Sequence, residues 1–384
     1  MSKKIYYWCP FVDKVATVKS VFNSAKSLNK YSKNQFNSTI IDASGEWISH
    51  DEELKKNKID IIYLNKKLQI LKKPKVGYIK SRLTYIYIFL SCFFSLKNIL
   101  TKNQPEFLVI HLITPLPMVL FYLFNFKTKL ILRISGYPKM NIIRRFFWKT
   151  LASKIYRVTS PTQATLDTLT VNKIFLKSKT FLLRDPVISS EEFIDKKKHP
   201  IPLPKNLAKG QYILNVGRLT RQKNHIFLLE NFNKLQIKYD DLQLVIVGEG
   251  EERLNLEKFI QQKKLSEKVF LLNYTSNLYN LYKNCKSFIL SSLWEDPGFV
   301  LVEAAYHNNF IISSDCKNGP EEFIRKDGGI LYKTNSSSDF LSKFEQFMNK
   351  NKKDIYHSKL ILKKRTKNFS TFNHFIQFKK ILEF

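Results

Sequence analysis

Residues 291–305 read SSLWEDPGFVLVEAA and place two carboxylates, Glu295 and Glu303, eight positions apart. The Pro-Gly pair between them favours a tight turn. The run from Phe299 to Tyr306 then predicts a helix whose buried side is rich in Val, Leu and Ala. We therefore expect Glu295 in a loop and Glu303 in the early turns of the helix.

This arrangement would suit an anionic ligand. Helical side chains lean toward the start of their helix, so Glu303 can point at whatever the loop holds. The free N–H groups at the helix start favour an anion there, such as the diphosphate of a sugar nucleotide. The carboxylates would then accept hydrogen bonds from ribose and sugar hydroxyls. A lone carboxylate pair would be better explained by a solvated loop and a solvated helix face, and only the other motifs reverse that preference.

The chain has 384 residues, which is ample for two domains, and a net charge of +32 from 64 Lys and Arg against 32 Asp and Glu. Such a balance favours polyanionic partners, but a proteome rich in lysine would explain it equally well. The four cysteines are scattered without a CxxC pair, so we expect no zinc site and a reduced, cytoplasmic protein. We expect no signal peptide at the N-terminus.

Two apolar stretches raise the question of a membrane. Residues 83–96 are uncharged but too short to cross a bilayer, since crossing takes about 20 apolar residues. Residues 107–126 contain His111 and two prolines, so they should divide into a strand, a turn and a helix. The preceding zone 55–82 holds ten basic residues and one acid. We expect 83–96 to form a buried helix; an interfacial helix beside a lipid-binding basic zone is the alternative, and the zone fits a solvated surface as well.

Strand-like and helix-like runs alternate along most of the chain, which predicts an α/β protein with doubly wound parallel sheets. Residues 196–210 are polar, contain three prolines and have no hydrophobic period, so they predict a linker. The predicted organisation is an N-terminal domain (1–195), the linker (196–210), a C-terminal domain (211–365) and a terminal helix (366–384).

Two glycine loops follow strands of the C-terminal domain. Gly217-Arg218 begins a loop that continues to Lys223 and opens a helix, and the next strand ends in Gly248-Glu249-Gly250. Glycine lets the backbone turn closely, and Arg218 and Lys223 supply two cations that can reach a diphosphate at the sheet edge. Glu249 can contact the base or the sugar, and a plain turn explains this second loop equally well.

Taken together, these residues resemble the retaining family 4 glycosyltransferases of the GT-B superfamily. The resemblance rests on four motifs in order over about 130 residues: Gly217-Arg218 with Lys223-Asn224, Gly248-Glu249-Gly250, the Glu295 to Glu303 pair, and Asn318-Gly319-Pro320-Glu321-Glu322 with Asp327-Gly328-Gly329.

The resemblance implies two Rossmann-like domains facing across a cleft, with the donor nucleotide in the C-terminal domain, the acceptor mainly in the N-terminal domain, and the terminal helix packed back on the latter. It implies Arg218, Lys223 and Glu295 as catalytic residues: the two cations bind the departing diphosphate and Glu295 faces the donor sugar. The implied donor-binding residues are Gly217, Gly248, Glu249, Gly298, Phe299, Val300 and Glu303, of which Glu303 contacts the ribose. No metal and no cofactor are implied, because the cations and the helix N-terminus replace a metal.

Two departures concern the acceptor side. The loop at 10–17 lacks the glycines that many relatives carry, and Lys14 there either contacts a phosphate or the acceptor or is simply solvated. Ser135 stands where many relatives have His. His111 either replaces that histidine or is a core residue.

The predicted function is a metal-independent, retaining hexosyltransferase that uses a nucleotide diphosphate sugar and a saccharide acceptor, lipid-linked or of lipopolysaccharide. The predicted location is cytoplasmic, with peripheral contact to the inner face of the cytoplasmic membrane and an anionic membrane surface as a further partner. The alternatives are a sugar nucleotide epimerase on the same fold and a basic nucleic-acid-binding protein. Nucleic acid is not expected, because the sequence has no RRM, KH or helix-turn-helix signature.

Overall fold

The computed structural model describes residues 2–11, 16–65, 78–138, 140–325 and 327–383. These form two compact units. The first contains the residues up to Val187 and those from Thr371, and the second is Ile188–Ser370. Each unit is built on one parallel sheet flanked by helices. The predicted doubly wound α/β class is therefore confirmed.

The described part of the first unit has a sheet of seven parallel strands, β1 (Lys3–Trp8), β2 (Phe36–Asp42), β3 (Asp60–Tyr63), β4 (Phe107–Ile110), β5 (Lys129–Arg133), β6 (Arg157–Ser160) and β7 (Thr180–Leu182). Their order across the sheet is β3-β2-β1-β4-β5-β6-β7. The helices are α1 (Ala16–Tyr31), α2 (Asp51–Lys56), α3 (Tyr78–Asn103), α4 (Pro115–Leu123), α5 (Ile142–Leu151), α6 (Gln163–Val171) and the last helix, α15 (Thr371–Glu383).

Successive residues of β1 explain the two helical layers, because side chains alternate between the faces of a strand. Tyr6 and Trp8 pack into a hydrophobic cluster with residues of α3, α4, α5 and α6. Ile5 and Tyr7 pack into a second cluster with residues of α1 and α15. The final helix of the chain thus completes the core of the first unit, on the opposite face of the sheet from α3.

In the described part of the second unit a parallel sheet of six strands contains β8 (Tyr212–Val216), β9 (Gln243–Val247), β10 (Val269–Leu272), β11 (Ser287–Leu290), β12 (Ile311–Ser314) and β13 (Ile330–Tyr332). Their order is β10-β9-β8-β11-β12-β13. The helices are α7 (Ser190–Lys198), α8 (His225–Leu235), α9 (Arg253–Gln262), α10 (Tyr279–Asn284), α11 (Phe299–Tyr306), α12 (Pro320–Ile324), α13 (Ser337–Met348) and α14 (Lys352–Arg365).

The segment predicted as a linker, residues 196–210, lies inside the second unit, and the two units divide between Val187 and Ile188 instead. This segment lacks a periodic pattern of apolar residues, and hydrogen bonds from a side-chain amide attach it to the second unit. Asn277 donates to the carbonyl oxygens of Lys196 at 3.0 Å and of His199 at 2.6 Å. Composition alone does not reveal such contacts, since they come from a residue about 80 positions away.

Helix α3 is longer than the sequence predicted. It runs for 26 residues, and its part Leu83–Asn103 is long and apolar enough to cross a membrane by length and composition, with 28% of its most apolar window buried. The sequence analysis assigned only the uncharged stretch, residues 83–96, to a buried helix. The ammonium of Lys97 lies 4.0 Å from the centre of the Phe124 ring, and Leu100 continues the buried side of the helix.

Candidate functional site

The centre of the second sheet is where the strand order reverses. Strand β8 lies between β9 and β11 in the sheet. From β8 the chain moves outward on one side to β9 and then β10. It then returns to β11, on the other side of β8, and moves outward to β12 and β13. In open parallel sheets, ligands bind outside the carboxyl ends of the strands at such a reversal. Here that point lies between the loops after β8 and β11, residues 217–224 and 291–298.

The loop after β8 is fastened to the loop after β9. The amide of Leu219 donates to the carbonyl oxygen of Glu249 at 2.8 Å, and the amide of Gly217 donates to that of Val247 at 3.0 Å. A Cβ atom at Gly248 would lie only 1.9 Å from the carbonyl oxygen of Gly217, so the two loops can approach this closely only with glycine there. The side chain of Glu249 is exposed at this edge.

A buried ion pair joins the two central loops. The Nζ of Lys223 lies 2.6 Å from the Oε1 of Glu295, with the two side chains 13% and 3% exposed. The hydroxyl of Ser292 donates to the same oxygen at 2.5 Å. The aliphatic part of the Lys223 side chain packs along Gly217, where an added Cβ would lie 3.4 Å from it. An ammonium has three donors, so Nζ can hold Glu295 and a phosphate oxygen together.

The sequence predicted Lys223 and Glu295 as separate contacts, one for a diphosphate and one for a sugar. The structure brings them together across the strand reversal, where each fixes the other. Arg218 lies in the same loop as Lys223, with its side chain exposed. His225 follows at the start of α8, where burial, and next the nearby charge of Lys223, lower its pKa to about 3. This imidazole therefore adds no positive charge to the loop near neutral pH.

The loop after strand β12 also supports the Glu295 loop. The side-chain amide of Asn318 donates to the carbonyl oxygen of Glu295 at 3.2 Å and to the Asp296 carboxylate at 3.0 Å. Gly319 has a φ of +143°, and a Cβ there would lie 2.0 Å from the carbonyl oxygen of Pro297. The Asn-Gly pair that the sequence singled out thus positions the loop that carries Glu295.

Sequence reasoning missed three polar residues that lock the central loops together. The side-chain amide of Gln222 donates to the carbonyl oxygen of Trp294 at 2.8 Å, and the backbone carbonyl oxygen of Gln222 accepts from the backbone amide of Leu293 at 2.8 Å. Ser291 donates its hydroxyl to the carbonyl oxygen of Lys223 at 2.8 Å, and Ser292 binds the Glu295 carboxylate. Their position directly beside the motif residues was the signal that the sequence offered.

Helix α11 begins where the Glu295 loop ends. Its N-cap, Gly298, has a φ of +87°, and the amide of Leu301 donates to the Gly298 carbonyl oxygen at 3.0 Å. The amides of Phe299 and Val300 occupy the first two helical positions, where helix geometry provides no acceptor within the helix. They can therefore donate to an anion. Glu303 lies half-buried in this helix, where the sequence placed it.

The predicted acceptor-side residues belong to the first unit. His111 and Ser135 follow the neighbouring strands β4 and β5, and their imidazole nitrogens and hydroxyl are buried without a hydrogen-bond partner among the described residues. Burial holds the pKa of His111 well below its usual range, so its imidazole is neutral. Lys14 lies outside the described residues. The sequence analysis missed the buried ion pair of Arg133 with Asp185, at 2.6 Å, for which an arginine in an apolar strand was the signal.

Across the residues that the structure describes, no group of three or more His, Cys, Asp or Glu side chains is arranged to hold a metal ion. The predicted absence of a metal therefore rests on the resemblance and on the chemistry of the cations, and it remains a prediction.

Comparisons with known proteins give a family. Residues 195–364 match the family model described as Glycosyl transferases group 1. An uncharacterized glycosyltransferase of Methanocaldococcus jannaschii is 36% identical over 121 residues, which are 31% of this chain and 30% of that protein. The N-acetylgalactosamine-N,N'-diacetylbacillosaminyl-diphospho-undecaprenol 4-alpha-N-acetylgalactosaminyltransferase of Campylobacter jejuni is 28% identical over 225 residues, 56% of this chain and 59% of that enzyme. The chain therefore matches less than two thirds of the length of either relative.

A solved structure of a mutant of S. aureus TarM, in complex with fondaparinux, alpha-GlcNAc-glycerol and UDP, matches over 100% of both chains with a TM-score of 0.73 and 15% identity. At this identity the likeness shows the fold alone. The glycosyltransferase resemblance read from the four motifs is confirmed at the level of the family model: residues 195–364 match the glycosyl transferases group 1 family, and the two parallel-sheet units have the GT-B fold.

Proposed function

We propose that this chain transfers a hexose from a nucleotide diphosphate sugar to a saccharide acceptor, with retention of anomeric configuration and without a metal. The observation that carries the proposal is the buried pair of Lys223 and Glu295 at the strand reversal of the second sheet. Arg218 in the same loop and the start of α11 beside it add positive charge to this edge.

The chemistry of the donor explains why this charge matters. Breaking the bond between the anomeric carbon and the diphosphate leaves an oxocarbenium-like sugar and a diphosphate with more negative charge. Groups that are fixed before the reaction stabilise such charge best, because they need not reorganise. Lys223 is held by Glu295, and the amides of Phe299 and Val300 are held by the helix, so both meet this condition. Together with Arg218 they would take the role that a metal has elsewhere.

Retention follows if no carboxylate attacks the sugar. Glu295 already accepts from Lys223 and Ser292, which makes its carboxylate a poor nucleophile. The acceptor hydroxyl would then attack the anomeric carbon from the face that the diphosphate leaves. The new carbon–oxygen bond forms as the old one breaks, and the hydroxyl proton passes to the departing phosphate oxygen.

The acceptor is inferred from chemistry and from relatives. The printed name of the Campylobacter relative includes a diphospho-undecaprenol-linked sugar, and the TarM complex contains alpha-GlcNAc-glycerol. We infer a saccharide acceptor for this chain as well, lipid-linked or part of a lipopolysaccharide, at the carboxyl ends of β4 and β5. His111 and Ser135 offer unsatisfied polar atoms there, and Lys14 stays a sequence prediction for the same role.

The test is thermal stabilisation of the full chain by UDP, GDP, ADP, CMP and dTDP and by their sugar conjugates. A ligand at about 100 times its Kd stabilises the folded protein by roughly 2.7 kcal/mol. We expect one nucleotide class to raise the Tm, and Arg218→Ala and Glu303→Ala to remove the shift. The matched controls Arg221→Ala, in the same loop, and Glu230→Ala, on an exposed position of α8, should keep it.

Other outcomes would change the assignment. Isomerisation of the donor sugar in the absence of acceptor would identify an epimerase on the same fold. Tight, salt-sensitive RNA binding that Glu303→Ala leaves unchanged would identify a nucleic-acid-binding protein. A chain that none of the nucleotides stabilises would refute the donor site.

A further inference from the structure

Helices α3, α4 and α5 cover one face of the first sheet. Helix α4 contacts both α3 and α5, and all three contribute to one hydrophobic cluster. On α3 the residues turned toward the sheet recur every four positions and are fully buried: Ile88, Cys92, Leu96 and Leu100. The opposite sides of these helices therefore face outward on the same side of the unit.

Those outward sides are also apolar. On α3, four residues at helical spacing are 57% to 71% exposed, namely Leu83, Ile86, Leu90 and Phe94. On α5, three residues are 74% to 85% exposed, namely Ile142, Ile143 and Phe146. We call these seven residues the α3/α5 surface. Seven large apolar side chains exposed on the same face of a folded unit indicate an interaction site.

The charged residues of these helices have one sign. Helices α3, α4 and α5 contain no Asp or Glu, and between residues 83 and 152 the one acid is Glu106, which pairs with Lys129 at 2.9 Å. On α5 the cations Arg144, Arg145 and Lys149 are interleaved with the exposed apolar residues, and Arg145 and Lys149 are themselves exposed. Apolar side chains mixed with cations and without acids are the pattern that binds an anionic lipid surface.

The packing of α3 decides between crossing a bilayer and lying on it. A crossing helix would have to leave the sheet and expose Ile88, Cys92, Leu96 and Leu100, which are buried in the core of the first unit. A helix that lies in the plane of the interface keeps those contacts and inserts the other side among the lipids. Tyr85 and Tyr87 are exposed among the described side chains of α3 and suit the interface, because their rings are apolar and their hydroxyls remain hydrated.

We propose that the α3/α5 surface docks the first unit on an anionic lipid bilayer, with α3 lying along the membrane plane. The sequence singled out the basic zone 55–82 for this role, and half of its ten basic residues lie within 66–77, outside the described residues. None of the seven residues of the α3/α5 surface belongs to that zone, so the surface identified here is a different one. The inference concerns the first unit alone and does not rest on the proposed sugar transfer.

The test is cosedimentation of the full chain with vesicles of phosphatidylcholine alone and with about a third of phosphatidylglycerol. We expect binding to the anionic vesicles that decreases with salt. Leu90→Gln with Phe146→Gln should weaken the partition coefficient by roughly tenfold or more, since each removes a large apolar side chain from lipid. The matched control is Ile237→Gln with Leu254→Gln, two residues of the second unit that are 89% and 69% exposed; it should bind like the wild type.

Charge is tested separately. Arg145→Glu with Lys149→Glu should lower binding to anionic vesicles by roughly tenfold or more and leave the weak binding to neutral vesicles unchanged. Unchanged far-ultraviolet circular dichroism and Tm show that each variant folds. The proposal is overturned if the wild type does not bind anionic vesicles. It is also overturned if Leu90→Gln with Phe146→Gln binds as well as the control Ile237→Gln with Leu254→Gln. It is also overturned if the wild type is a dimer in sedimentation velocity and Leu90→Gln with Phe146→Gln makes it a monomer, because the surface then binds a second copy.

Discussion

The Lys223–Glu295 pair allows a prediction whose size follows from burial. Glu295→Gln leaves the ammonium of Lys223 without its counter-charge at a side chain 13% exposed, and Lys223→Met leaves the carboxylate of Glu295 without its counter-charge at 3% exposure. Removing one partner of a buried pair typically costs about 3 to 5 kcal/mol. Because Lys223 keeps some contact with water, we expect each single substitution to destabilise the second unit by about 3 kcal/mol.

The double substitution should cost less than the sum, since no buried charge then lacks a partner. We expect about 4 kcal/mol in total and a coupling free energy of about 2 kcal/mol. The assay is hydrogen exchange of peptides from β8 and β11, because their slowest amides report the unfolding free energy of the second unit.

A second ion pair with the same N···O distance but more exposed side chains serves as the control. Lys196 and Glu192 of α7 also lie 2.6 Å apart in the second unit, but their side chains are 25% and 35% exposed. Lys196→Met with Glu192→Gln should show a coupling of about 0.5 kcal/mol or less, because water screens exposed pairs. Additive effects at Lys223 and Glu295, or equal coupling in the two pairs, would refute the reasoning that burial makes this contact matter.

Of two further predictions, one concerns glycines in the second unit and the other a buried histidine in the first unit. Gly248→Ala should destabilise the second unit by about 3 kcal/mol in a urea titration, since its Cβ would lie 1.9 Å from the Gly217 carbonyl oxygen. Gly210→Ala is the control: its Cβ would have nothing within 4 Å, and its φ of +77° should cost only about 1 kcal/mol. Burial lowers the pKa of His374 to about 4, so the unfolded chain binds more protons between about pH 4 and 6.5 and stability must fall as the pH drops through that range. His374→Gln should reduce the loss of unfolding free energy of the first unit over this pH range by on the order of 3 kcal/mol. If the unfolding free energy of the variant depends on pH as that of the wild type does, His374 is not the group responsible.

Much of the second unit could be predicted from local pattern. Its strands are short, continuous apolar runs such as QLVIV in β9, and buried parallel strands take that form because helices cover both faces. Residues that follow such strands must meet at one edge of the sheet. The loops that begin at Gly217, Gly248 and Ser291 were therefore expected together, and the structure places them on adjacent strands.

The limits of the helices and units were harder to predict, because they depend on partners far away in sequence. The end of α3 is set by Leu100 packing in the core and by Lys97 over the Phe124 ring, so the lysine does not stop the helix. The exposed side of α3 was also not predicted, since a fully apolar helix does not say which of its sides the sheet will cover.

The sequence by itself determined the α/β alternation, the two-sheet organisation and the identity of the motif residues at the strand ends, because these depend on side-chain periodicity and turn chemistry within a few residues. Only the tertiary structure decided that Lys223 and Glu295, 72 positions apart, form one buried pair, and that α3 and α5 expose apolar side chains on the same face of the first unit. A charge pair or a surface depends on which strands and helices become neighbours. That is settled by packing over the whole unit, which no local pattern encodes.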